Sequence, residues 1–203
     1  MKHELEFLQI HGGYGANQSW FWDPLMRIGG CAAITACELS AYLSLQRPEY
    51  RNLYPYDPGQ ISRMDFIRFG RHMKHFISPR PRGVYKLSFY EDGFLEYANH
   101  TGIKLSMELV SGEQSYEEAA AFLKRKIDAG IPVPYLLLKH TDKEMDDYTW
   151  HWFTMTGYEE QEDSLYAIFA TYGKRHRLDL AKLWDTGHEE RGGMITIRTP
   201  DPS

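Results

Sequence analysis

Two residues in this chain have the side chains and settings for nucleophilic chemistry at a carbonyl, Cys31 and His151. Cys31 follows Gly29 and Gly30 in "RIGGCAAITA" and opens a run of small helix formers. A thiol at a helix N-terminus faces the positive end of the macrodipole and several unpaired N–H groups. Those groups favour thiolate, the nucleophilic form, and can also hold the oxyanion that forms when sulfur attacks a carbonyl. Glycine before the Cys lets a substrate approach the backbone closely, which assigns Gly30 to substrate binding. The competing reading makes Cys31 a small buried residue after a turn.

A nucleophilic Cys needs a base. His151 opens the apolar segment "HWFTMTGYEE", follows the polar loop "TDKEMDDYTW", and stands between Trp150 and Trp152. A strand-initial His beside a loop can reach a cleft while its backbone is held. The remaining histidines have weaker settings. His72 and His75 share helical i, i+3 spacing but no accompanying carboxylate or Cys, so they read as a surface pair and no metal is expected. No cofactor is expected either.

The elements that must position these residues differ between the two halves of the chain. Helices are predicted over 31–45, 62–77, 88–102 and 115–130. The second opens on Ser62 and Asp65, and the last on a Ser115–Glu118 capping box. Strands are predicted over 131–140, 151–160, 164–173 and 194–199, with a short helix at 178–184. Helices first and strands later give an α+β fold, a helical part packed on a C-terminal antiparallel sheet, as a single domain over 1–203.

Composition bounds the function. With 203 residues, a net charge of −5 and 42% apolar residues, the chain reads as globular, with nucleic acid an unfavoured partner. The basic stretch 71–86, "RHMKHFISPRPRGVYK", reads as a solvated face. No segment approaches a membrane span, and no signal peptide opens the chain. Cys31 and Cys37 lie about 9 Å apart along one helix at about 1.5 Å per residue, beyond the roughly 7 Å between Cα atoms that a disulfide allows. Two free thiols without an export signal point to the cytoplasm. Oligomeric state is not legible.

A Gly-Gly-Cys at a helix start, followed 120 residues later by a His that opens an antiparallel hairpin, resembles the papain-like cysteine peptidase superfamily. The nearest branch is that of bacterial double-glycine-leader peptidases, and the resemblance runs from Asn17 to Trp184. It implies a papain-like fold, with Cys31 as nucleophile, His151 as base and an upstream Gln as oxyanion donor. Gln18 takes that place, with Asn17 as its alternate, although Gln18 stands 13 residues before Cys31, about twice the family's gap. In the family an Asp or Asn orients the His. Here a hairpin turning near 161–162 sets "ATYGK" opposite His151, and Thr171 is the nearest polar residue. Trp20, Trp150 and Trp152 are assigned to the substrate cleft; in each of the pairs Trp20/Trp22 and Trp150/Trp152, one ring is expected in the wall and one in the core.

The function implied is a cysteine peptidase or amide hydrolase acting on a peptide or an amide-containing small molecule. An acyltransferase using the same site, and a degenerate domain that binds peptide without cleaving it, are the alternatives. Two consequences can be checked. A ring nitrogen of His151 should lie within about 4 Å of the Cys31 sulfur. Cys31 should react at about pH 6 to 7, with Cys37 inert.

Overall fold

Side-chain caps start four of the helices. Asp23 accepts from the Leu25 N–H at the head of α1 (Pro24–Gly29), whose first residue is a proline. Ser62 caps α3 (Arg63–Met73), Ser115 and Glu118 form a reciprocal capping box on α5 (Tyr116–Asp128), and Asp179 caps α6 (Leu180–Trp184). Two α-helices start without a side-chain cap: α4 (Leu87–His100), behind Lys86, and α2 (Cys31–Gln46), whose N-cap is Gly30. The leading N–H groups of α2 are left for whatever lies in front of them.

The computed structural model describes residues 1–80 and 82–198. Its strands are β1 (Lys2–Glu4), β2 (Gln9–Ile10), β3 (Gly13–Tyr14), β4 (Met107–Ser111), β5 (Val133–Leu137), β6 (His151–Gln161), β7 (Ser164–Thr171), β8 (Lys174–Asp179) and β9 (Gly192–Ile197). The main sheet is antiparallel in the order β4-β9-β5-β6-β7-β8. β1 adds to β6 with Lys2 opposite Glu159, beyond the point where β5 leaves off. β2 and β3 form a separate hairpin.

Alternation along the strands divides the core in two. From β5 and the residue that follows it, Leu136 and Leu138 pack with the helical part, while Tyr135 and Leu137 join Phe122, Leu123, Leu180 and Trp184 from α5 and α6. α2 runs through the first core, packed against β6 and α3, and is buried from Cys31 to Ser44. Burial on every side explains its composition: Ala, Cys, Ser, Thr and Leu, with Glu38 as its one charged residue.

The fold is thus α+β, with an N-terminal helical part and a C-terminal antiparallel sheet. No helix among the described residues is long and apolar enough to cross a membrane. Four differences from the sequence expectation stand out. The helix predicted over 62–77 ends at Met73, followed by turns that bring His75, Phe76 and Ile77 back onto His72 and Met73. "KRHRLD" (174–179) is an edge strand whose charges face solvent or carboxylates across the sheet, a device that blocks further pairing. β1 and β4 were not anticipated at all. Thr199, the end of the last predicted strand, lies outside the described residues.

Candidate active site

Cys31 is the first residue of α2, and its thiol is 6% exposed. It lines two spaces at once. On one side is an open cleft of about 290 Å³, walled by Ile28, Val84, Tyr85, Leu136, Trp150 and Trp152. On the other is a cavity of about 20 Å³, whose lining includes Gln18, Glu38, His151, Thr171 and Tyr172. That volume suits about one water molecule. The nucleophile and base proposed from sequence therefore border one cavity, although no hydrogen bond joins Cys31 to His151 among the described residues.

The electrostatics reverse the sequence expectation. Burial pushes the Cys31 thiol up, and the backbone N–H groups of Trp152, Ala32 and Cys31 itself pull it down by less. The helix terminus acts as expected, but desolvation wins. Burial also lowers His151 to about 4, with His176 nearby acting in the same direction. At neutral pH the resting pair is a thiol beside a neutral imidazole. The expected ready reaction of Cys31 at pH 6 to 7 is corrected accordingly.

His151 is held on its far side. Its Nε2 lies 2.7 Å from the hydroxyl of Thr171, the last residue of β7. The Tyr172 ring stacks on the imidazole with centroids 4.8 Å apart and planes within 2°. Backbone strain brackets this pair. Trp150, just before His151, has φ 51°, and Tyr172, just after Thr171, has φ 54°. Bulky residues rarely adopt this left-handed region, and they keep it only where their surroundings enforce it. Here the Trp150 N–H donates to the Leu138 carbonyl, the Tyr172 hydroxyl donates to the Asp147 carbonyl, and the Asn17 amide donates to the Tyr172 carbonyl.

The other sequence candidates separate. Gln18 borders the cavity with Cys31, and its amide donates to the Arg27 carbonyl at 3.0 Å. Asn17 does not border that cavity; its oxygen caps the turn at Ser19 while its amide holds Tyr172. Gly30 is buried against α1, where a Cβ would lie 2.4 Å from the Met26 carbonyl, so its smallness serves helix packing while Gly29 lines the cleft. Trp20 packs edge-on against Phe66 and His11, away from both spaces, and Trp22 is 86% exposed. Trp152 is buried, stacked 4.6 Å from Tyr90, and its indole donates to the Val84 carbonyl; Trp150 is 42% exposed at the cleft mouth. Each pair therefore holds one packed and one exposed ring, but only Trp150 and Trp152 belong to the cleft.

Sequence reasoning missed Glu38, Arg80, Arg82 and Tyr172. Glu38 lies two turns after Cys31, 2% exposed. It accepts from the Ala16 N–H at 2.8 Å and from the Thr154 hydroxyl at 2.5 Å. Burial raises its carboxyl to about 7 against both hydrogen bonds. It pins the 15–18 segment, and so Gln18, to α2 and β6. A Cβ on Gly15 would lie 2.6 Å from its Oε1, so that position, with φ 73°, requires glycine. A lone acid inside an otherwise uncharged helix, seven residues from the Cys, was the available signal. Arg80 and Arg82 come from the basic stretch read as a solvated face.

No group of three or more His, Cys, Asp or Glu suited to a metal is found among the described residues. Comparison with family models, with curated proteins and with solved structures returned no match.

Proposed function

We propose that this chain is a thiol-dependent peptide or amide hydrolase of the papain-like type. One observation carries the reading. Cys31, at an uncapped helix start, stands between a ligand-sized cleft and a small cavity bordered by His151, whose outer nitrogen is anchored by Thr171. A carbonyl entering from the cleft meets the sulfur. His151 takes the thiol proton as the sulfur–carbon bond forms, so base and nucleophile act together from a neutral pair. Charge developing on the carbonyl oxygen falls before the leading N–H groups of α2, with Gln18 beside them. Collapse expels the amine, which takes the proton from His151. Water, deprotonated by His151, then cleaves the acyl-thioester to free acid and thiol. Two unpaired cysteines suit a reducing compartment such as the cytoplasm.

A second reading keeps the site without turnover. Thr171 offers no charge to an imidazolium, and the Gln18 amide is already engaged, which favours a peptide-binding domain derived from such an enzyme. Acyl transfer to an amine uses the same thioester. p-Nitrophenyl acetate, followed by intact mass and peptide mapping, separates these. A hydrolase acetylates Cys31 and sheds the group into water, whereas a transferase sheds it faster when glycine amide is added. His151→Ala should slow acylation by roughly 100-fold or more. Labelling spread equally over Cys31 and Cys37, or indifference to His151, leaves only the binding reading.

A further inference from the structure

The cleft beside Cys31 has a composition that describes its occupant. Its floor and walls are apolar: Ile28, Val84, Leu136 and Leu138, with Trp150 and Trp152. Its only charged lining residues are Arg80 and Arg82, and no acidic residue lines it among the described residues, in a chain whose net charge is −5. Both guanidinium groups lie over aromatic rings. Arg80 is 3.9 Å from the Phe89 centroid, and Arg82 lies 5.5 Å from Tyr85 and 6.0 Å from Trp150. Stacking occupies the faces of a guanidinium and leaves its N–H edges for a planar anion. Neither edge is well used within the chain. Arg80 forms no ion pair among the described residues, and Arg82 approaches Glu190 only at 3.8 Å, with both side chains largely exposed.

We propose that the cleft binds an amide with an apolar, flat or branched group next to the scissile bond and a carboxylate held by Arg80 and Arg82. The apolar group lies between Ile28 and Trp150 over Leu136 and Leu138, and the carboxylate lies at the arginine rim. This substrate class rests on the hydrolase reading for the position of the carbonyl at Cys31. Recognition in the cleft itself does not need the thiol. The carboxylate can come from an acidic side chain or from a chain terminus, and both present the same fork of oxygens to a guanidinium.

The test uses the full chain carrying Cys31→Ala, so that no chemistry intervenes, with tryptophan emission as the readout. Three matched probes are titrated: acetyl-phenylalanyl-glutamate amide, acetyl-phenylalanyl-glutamine as the free acid, and acetyl-phenylalanyl-glutamine amide. At least one of the two anionic probes should bind roughly 5-fold more tightly than the neutral one at low salt, the better of them identifying the source of the carboxylate. The preference should shrink in high salt and vanish when Arg80→Gln and Arg82→Gln are combined, while Arg68→Gln, on the exposed side of α3, leaves it intact. Equal binding of all three probes, no binding of any, or a preference that survives the double substitution overturns the proposal. Turnover by the unsubstituted chain is scored separately. A carboxylate preference without turnover sinks the hydrolase reading and keeps the cleft assignment; turnover without the preference does the reverse.

Discussion

Replacing Glu38 by Gln should change how the stability of this protein depends on pH, by an amount that follows from two buried groups. Glu38 has its pKa raised from 4.5 to about 7, so between those values the folded chain keeps a proton that the unfolded chain has lost. Its contribution is full below pH 4.5 and disappears as the pH rises through about 7. His151 runs the other way. Its pKa falls from 6.5 to about 4, so the unfolded chain holds the extra proton, and stability rises with pH across that window. At 1.36 kcal/mol per pH unit, each effect is worth about 3 kcal/mol, and the two oppose each other between about pH 4.5 and 6.5. Glu38→Gln keeps both hydrogen bonds, since an amide oxygen can accept from Ala16 and an amide N–H can donate to Thr154. What the variant loses is the titration. Urea unfolding followed by tryptophan fluorescence at several pH values gives the difference between variant and wild type, in which other groups cancel. That difference should move by about 3 kcal/mol in favour of the variant from pH 4.5 to 7. His151→Asn should shift the opposite way from pH 4 to 6.5. A Glu38→Gln difference that stays constant within about 1 kcal/mol would refute the argument, because the carboxyl would then titrate alike in both states.

Three further outcomes concern the site. The acid limb of kcat/KM should fall near pH 4, well below the 6.5 of an ordinary imidazole, because His151 remains a base above its lowered pKa; a limb at 6.5 would place the ring in solvent. Thr171→Val removes the hydroxyl at His151 Nε2 and should lower kcat/KM by roughly 10- to 100-fold, with Thr171→Asn recovering much of the loss by offering an amide oxygen; the three proteins are compared under second-order conditions. Gln18→Ala should slow acylation of Cys31 by roughly 100-fold with the melting temperature little changed. Asn17→Ala should instead lower the melting temperature by loosening the Tyr172 turn, a contrast read by stopped-flow acetylation beside thermal denaturation.

What the sequence disclosed was local. Gly-Gly before an Ala-rich run marks the start of α2, Ser115 with Glu118 marks that of α5, and Gly130 closes it with a positive φ of 73°. The hairpin count, which set the residues near 171 to 173 beside His151, reached Thr171 because the β6–β7 pairing, with Thr154 opposite Ala170, brings the end of β7 next to the start of β6. Long-range pairing was not legible. Nothing in "KHE" announces that Lys2 pairs with Glu159, and "MELVS" carries too few alternations to mark β4. Electrostatics failed for a related reason. A helix N-terminus is a property of sequence and lowers a thiol's pKa, whereas the burial that outweighs it depends on Trp152, Leu136 and Val84 arriving from far along the chain. Glu38 follows the same logic: its partners, Ala16 and Thr154, lie 22 residues before it and 116 after.

The addition of β1 to β6 has a consequence in time. Lys2, His3 and Glu4 are synthesised some 150 residues before their partners at Glu159, Tyr158 and Gly157. At about 5–20 residues per second, the 120 residues between Cys31 and His151 alone take roughly 6 to 24 s. Throughout that interval α2 has no β6 to pack against, and the thiol has neither its base nor a complete cleft. A chain halted before residue 151 therefore offers quality-control machinery a nearly uncharged helix, and it carries the nucleophile without the base. Folding of such a topology is governed by its most distant contacts. β1 is thus held in waiting until the strand bearing the base has been made.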